Sequence, residues 1–219
     1  MKGYNSNANG LLMFDKTRYA GASQLIIEAG RFLYSNGWSP ATSSNYSARI
    51  DGQHIAVTVS GKHKGDLDTS DVMVVNLSGE PVQSDGKPSA ETLLHTVIYD
   101  LFPGVKAVLH THSVAATVLS RSMAGESELR LVDYELQKAF PGYDSHESEL
   151  IIPVFENTQD ITVLAEQTKK YFKEYPYLPA YLIRGHGLYT WGDTMADCLR
   201  HVEALEFLLQ CELEMKRLR

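Results

Sequence analysis

Cysteine is scarce in this chain, with only Cys198 and Cys211 among 219 residues. That excludes a disulfide framework and a zinc site closed by four thiolates, and it fits a reducing compartment. Long apolar runs are also missing. No stretch approaches the roughly 20 residues that span a bilayer, which excludes a transmembrane helix. The polar opening, Met1 to Asn9, and the brief Leu11-Leu12-Met13-Phe14 do not make a signal-peptide core, so a cytoplasmic location is expected. Basic excess is absent too: 20 Lys and Arg stand against 27 Asp and Glu, for a net charge of -7. A general nucleic-acid binder needs a basic face to neutralise phosphates, and that class is set aside. Neither repeats, low-complexity tracts nor a linker divide the chain, so residues 1–219 read as one domain with one substantial core.

What is present is a regular succession of periodic segments. Leu25, Ile26, Ala29, Phe32 and Leu33 recur at helical spacing and predict an opening helix from about Tyr19 to Tyr34. Tyr46–Ile50 and His54–Ser60 read as strands joined at Asp51-Gly52, and Val72–Leu77 continues an antiparallel series. Ser89 is expected to cap a helix that Phe102-Pro103-Gly104 stops. A short helix over Val114–Ser122, a strand at Leu150–Phe155 and a surface helix from Ile161 to Tyr175 follow. Tyr181–Ile183 and Leu188–Trp191 read as short strands, and a long helix runs from Asp193 to Arg219 with basic residues at its negative end.

The chemistry concentrates in three histidines. His110-Thr111-His112 follows the apolar run Gly104–Leu109, and His186 stands in Arg184-Gly185-His186-Gly187. On a strand, residues two apart project from one face, so His110 and His112 can offer nitrogens to one ion while Thr111 points away. Glycines on either side let the backbone turn tightly around His186. Three protein ligands with an open fourth position are the pattern of catalytic zinc. His54, His63, His95, His146 and His201 lack such a pairing and are not expected as ligands.

Three polar loops accompany them: Thr42–Ser47, Ser60–Gly65 and Lys87–Glu91. Hydroxyls, amides and lysines near turns and helix starts are groups that hold a phosphate monoester, although none of these loops is a Walker loop. Glu91 and Glu135 are the carboxylates placed to serve as general acid or base near a metal, and the sequence leaves open which does so.

The ordered combination Asn45-x-Ser47-x-Arg49, Ser60-Gly61, Ser89-Ala90-Glu91, His110-Thr111-His112 and Gly185-His186-Gly187 resembles the class II aldolase/adducin superfamily over nearly the whole chain. The resemblance implies an α/β/α sandwich around a largely antiparallel sheet, one Zn2+ per subunit on His110, His112 and His186, and a homo-oligomer, most often a tetramer, with sites near subunit interfaces. Within the superfamily, Leu131–Lys138, Pro153–Thr158 and Arg184–Gly192 look like a dehydratase branch acting on a phosphorylated methylthio-pentulose in methionine salvage. That branch implies Glu135 as acid/base. It also implies Asn45, Ser60, Gly61 and Ser89 as phosphate contacts, with Lys62, Lys64 and Lys87 as electrostatic helpers. Two departures stand out: Ser44 precedes Asn45 where many aldolases have glycine, and Ala90 interrupts a usual Ser-Ser-Glu. Glu91 occupies the aldolase catalytic position and is expected as a fourth metal contact or auxiliary base. Sugar-phosphate aldolase or epimerase chemistry, and a metal-free interaction module like the adducin head, are the alternatives.

Overall fold

The structure is a computed structural model, and it describes residues 14–82 and 86–218. The polar opening stretch and Leu11 to Met13 lie outside the described residues. Among the described residues five α-helices, α1 (Lys16–Ser35), α2 (Thr92–Leu101), α3 (Val114–Ser122), α4 (Ile161–Glu174) and α5 (Met195–Arg217), surround nine strands. These are β1 (Asn45–Arg49), β2 (His54–Thr58), β3 (Val72–Asn76), β4 (Pro81–Val82), β5 (Ala107–Thr111), β6 (Glu128–Leu131), β7 (Leu150–Phe155), β8 (Ala180–Ile183) and β9 (Gly187–Gly192).

The strands form one sheet in the order β4-β3-β2-β1-β5-β9-β8-β7-β6. Every neighbouring pair is antiparallel except β7 and β8, which are parallel and linked through α4. Parallel neighbours need such a crossover, whereas antiparallel ones can turn back directly.

Both faces of the sheet are covered, and strand alternation sorts the side chains between them. Tyr46, Ala48 and Leu109 pack toward α1 and the first part of α5. Ala180, Leu182 and Leu188 pack under α3 and the rest of α5. Their immediate neighbours Val108, Tyr181, Ile183 and Tyr189 face α2 and α4 instead. The result is the expected α/β/α sandwich with a largely antiparallel sheet. Among the described residues no helix is long and apolar enough to cross a membrane.

The expected elements are present with shifted ends. The helix expected to be capped by Ser89 begins at Thr92, with Glu91 as the residue before its first turn. Ser89 Oγ instead accepts the Glu91 backbone N–H at 3.3 Å, a local turn just outside the helix. Among the described residues, β4, β6 and three short 3-10 turns, at Lys64–Asp66, Thr69–Asp71 and Glu135–Ala139, lie where no element was read from the sequence.

Candidate metal centre

The centre grows from β5 and its partner β9. His110 lies with Val108 on the α2 side, fully buried, and its Nδ1–H donates to the Leu188 carbonyl of β9 at 2.9 Å. That bond leaves the lone pair on Nε2, a buried atom with no hydrogen-bond partner. Thr111 points the other way, as alternation requires, and its hydroxyl donates to Glu206 on α5 at 2.9 Å. His112 stands one residue past the strand, its backbone N–H held by the Trp38 carbonyl at 2.8 Å.

His186 occupies the tight turn between β8 and β9, and its two glycines do different work. Gly185 has φ +63, the left-handed region that glycine enters without cost. A Cβ on Gly187 would lie 2.0 Å from the Thr111 carbonyl oxygen and 3.0 Å from the His110 ring, so nothing larger fits where β9 leaves beside β5.

The three side chains offer ligand atoms that all lie within 4.8 Å of one another. Burial, followed by the neighbouring imidazoles, pushes the His112 pKa down to about 3 and that of His110 well below its ordinary value. Both rings are therefore neutral, the form that ligates a cation. Three clustered imidazoles, one with an orphaned buried lone pair, fit a zinc-type ion with an open position.

Glu91 closes one side of the cluster. Its Oε2 is 3.3 Å from His110 Nε2, without hydrogen-bond alignment, and its Oε1 is 3.2 Å from His186 Nε2. The carboxylate is held in turn by the Tyr189 hydroxyl at 2.6 Å and the Asn45 amide at 2.9 Å.

The three polar loops meet here. A cavity of about 240 Å³ is lined by Asn45, Ser60, Gly61, Lys64, Ser89 and Glu91 together with His112 and His186. Lys64 is only 1% exposed and donates to the Thr42 and Lys62 carbonyls, and burial pulls its pKa down to about 8, leaving a cation beside the cavity. Lys62 does not join it, being exposed and paired with Asp71 at 2.7 Å, and Lys87 is exposed. Ser44 also lines the cavity with φ +71, so this position demands the left-handed backbone that a glycine supplies freely and a serine holds under strain. A larger cavity, about 710 Å³, lies at the opposite end of β5 and β9 beside Phe102 and Trp191, and it contains none of the clustered groups.

Glu135 is placed elsewhere. It is 72% exposed, paired with Lys138 at 2.6 Å and His146 at 4.0 Å, and does not line the cavity of its own chain. Three participants escaped the sequence reading: Tyr189, His95 and Glu206. Tyr189 sits on β9 at alternate spacing from Gly187, a position readable only once β9 is known to border β5.

Glu206 is buried behind the histidine strand, and desolvation pushes its pKa up to about 7 despite bonds from Ser113 and Thr111. A carboxyl whose folded pKa lies above its unfolded one contributes stability fully below about 4.5, and loses it as pH rises through about 7. Glu206→Gln is therefore expected to match the wild-type unfolding free energy at pH 4 and to exceed it at pH 8, by an amount approaching about 3 kcal/mol. Thermal unfolding across that range checks this; a difference independent of pH would mean that Glu206 does not titrate there.

The Class II Aldolase and Adducin N-terminal domain family matches residues 24–213. Two similar proteins are named methylthioribulose-1-phosphate dehydratase. One, from Marinobacter nauticus, is 69% identical over 94% of this chain and all of that protein. The other, from Hahella chejuensis, is 63% identical over the same shares. Among solved structures, YgbL from Klebsiella pneumoniae superposes with a TM-score of 0.76 at 22% identity, covering 90% of each chain. The L-fuculose-1-phosphate aldolase of Thermus thermophilus superposes with a TM-score of 0.70 at 25% identity, covering 92% of this chain and 97% of its own.

Proposed function

This chain belongs to the class II aldolase and adducin family, and from that premise we propose that it is a hydro-lyase of methionine salvage. The reaction is removal of water from 5-methylthioribulose 1-phosphate to give 2,3-diketo-5-methylthiopentyl 1-phosphate. The observation that carries the choice is the 69% identity, over the full length of the relative, to a protein named for that dehydration. A histidine cluster of this kind equally suits aldol cleavage, so the cluster supports metal-assisted chemistry and the likeness selects the reaction.

His110, His112 and His186 would hold one Zn2+ per subunit, with Glu91 as a further contact from the α2 side. When bound, the ion supplies a Lewis acid that polarises the substrate carbonyl and acidifies the neighbouring C–H. Asn45, Ser60, Gly61 and Ser89, which line the cavity, are assigned to the phosphate, and buried Lys64 contributes the charge. Glu135 is assigned to give a proton to the leaving C4 hydroxyl.

Because Glu135 is exposed and off its own cavity, it would reach the site of a second copy. The cavity supports that arrangement, since about 240 Å³ is smaller than the roughly 300–1,000 Å³ that encloses a small ligand. A homotetramer with sites between neighbours satisfies both observations. The two free cysteines and the phosphorylated substrate suit a cytoplasmic enzyme.

Product analysis separates the readings. Zinc-loaded protein given 5-methylthioribulose 1-phosphate is expected to yield the diketone phosphate with loss of one water per substrate. Cleavage into two carbonyl fragments or inversion at C4 would replace dehydration by aldolase or epimerase chemistry.

A further inference from the structure

The residues Asn45, Ser47 and Arg49 alternate along β1 and so share one face, the one opposite Tyr46 and Ala48. Against that face α2 lays Glu91, His95 and Tyr99, which recur every fourth residue from the residue before its first turn. A two-residue step along a strand is about 6.7 Å and a four-residue step along a helix about 6 Å, so the two rows meet nearly in register. A continuous buried chain of hydrogen bonds results.

Its donors can be assigned one by one. Glu91 is an acceptor, so the Asn45 group 2.9 Å from it is the NH2. The Asn45 carbonyl oxygen therefore faces His95 Nε2, which must donate to it. A neutral ring then has a bare Nδ1, which takes the Ser47 hydroxyl proton at 2.7 Å. Ser47 Oγ accepts in turn from the Tyr99 hydroxyl at 3.0 Å. Arg49 anchors the far end, donating to the Tyr99 carbonyl at 2.9 Å with its guanidinium 4.7 Å from the Tyr99 ring centre.

We propose that His95 is a positioning residue: its Nε2–H fixes the Asn45 amide so that the NH2 group holds the Glu91 carboxylate against the three-histidine cluster. Amide orientation and ring tautomer are coupled. With the opposite tautomer the Asn45 amide reverses, and its carbonyl oxygen meets the Glu91 carboxylate, an acceptor facing an acceptor. Burial holds the His95 pKa down to about 4, so the ring stays neutral and keeps one bare nitrogen near neutral pH. His95 hydrogen-bonds to none of the proposed metal contacts: its ring nitrogens meet Asn45 and Ser47, and its ring packs edge-on against Tyr189, which also bonds Glu91.

The inference rests on the metal-site reading for its consequence but not for its test. Neutron diffraction from deuterium-exchanged crystals of the zinc-loaded protein is expected to show deuterium on His95 Nε2 and none on Nδ1. Deuterium on Nδ1 would overturn the assignment whatever reaction the enzyme performs. In turnover, His95→Leu is expected to keep its zinc and lose about tenfold or more in kcat/KM, and His95→Gln, which restores a donor near Nε2, to recover to within about threefold of wild type. His95→Leu with wild-type kcat/KM, or a Gln variant as impaired as the Leu one, would count against the positioning role. Wild-type protein without dehydratase turnover would instead remove the proposed reaction, leaving the relay to be decided by the deuterium position.

Discussion

Folded His112→Ala is expected to lose bound zinc, with affinity reduced by more than about 100-fold, because even outer-shell partners of a metal site are commonly worth 10- to 100-fold. Dehydratase turnover falls with it. His112 is the informative ligand to remove because it is only partly buried and lies just beyond β5, whereas His110 is fully buried and bonded into β9. Truncating His110 would leave a core cavity and confuse loss of metal with loss of fold. Metal analysis after dialysis, alongside circular dichroism of the same sample, decides the matter. Native stoichiometry with unchanged affinity would take His112 out of the shell. Wild-type protein that takes up no zinc at all would favour the interaction-module alternative.

The histidine pair was legible because strand alternation is local: period two puts His110 and His112 together and sends Thr111 to the other face without knowledge of any distant residue, although the Glu206 it meets there was not foreseen. Gly185 and Gly187 were legible as a tight frame, although the reason for Gly187, the backbone of Thr111 across the ladder, is a tertiary contact. Ser44 shows the same boundary. The departure from glycine is visible in the sequence, but the left-handed backbone that makes it costly is not.

What stayed hidden depended on neighbours distant in the chain or on short elements. The His95 chain needs β1 and α2 stacked in register, and neither segment alone announces it. β6 has four residues, two of them charged (Glu128 and Arg130), and the turn at Glu135 has no strand or α-helical period to show. The helix start moved from Ser89 to Thr92, within the imprecision of terminal turns. The shift has a chemical consequence, since it puts Glu91 at the cap position, its carbonyl accepting from Leu94 N–H and its side chain turned to His110 and His186.

Glu135→Gln is expected to fold, retain zinc and bind substrate while kcat drops by about 10²- to 10⁴-fold, the range associated with loss of a positioned acid or base. The amide keeps the shape and removes the titratable proton. Since Glu135 makes only exposed pairings with Lys138 and His146, stability should change little. Location is tested separately by mixing. If one chain supplies the histidines and its neighbour supplies Glu135, subunits carrying His112→Ala and subunits carrying Glu135→Gln, each inactive alone, rebuild intact sites when assembled together. Random assembly of equal amounts across a head-to-tail interface should restore about a quarter of wild-type turnover, the chance that an intact histidine set faces an intact glutamate. Absence of recovery in verified mixed oligomers would confine the site to one chain, and near-wild-type kcat in metal-replete Glu135→Gln would remove the proton-donor role. Partial recovery at the statistical level would explain why a carboxylate needed for turnover is 72% exposed on the single chain: the surface that appears to face solvent is completed by a second copy.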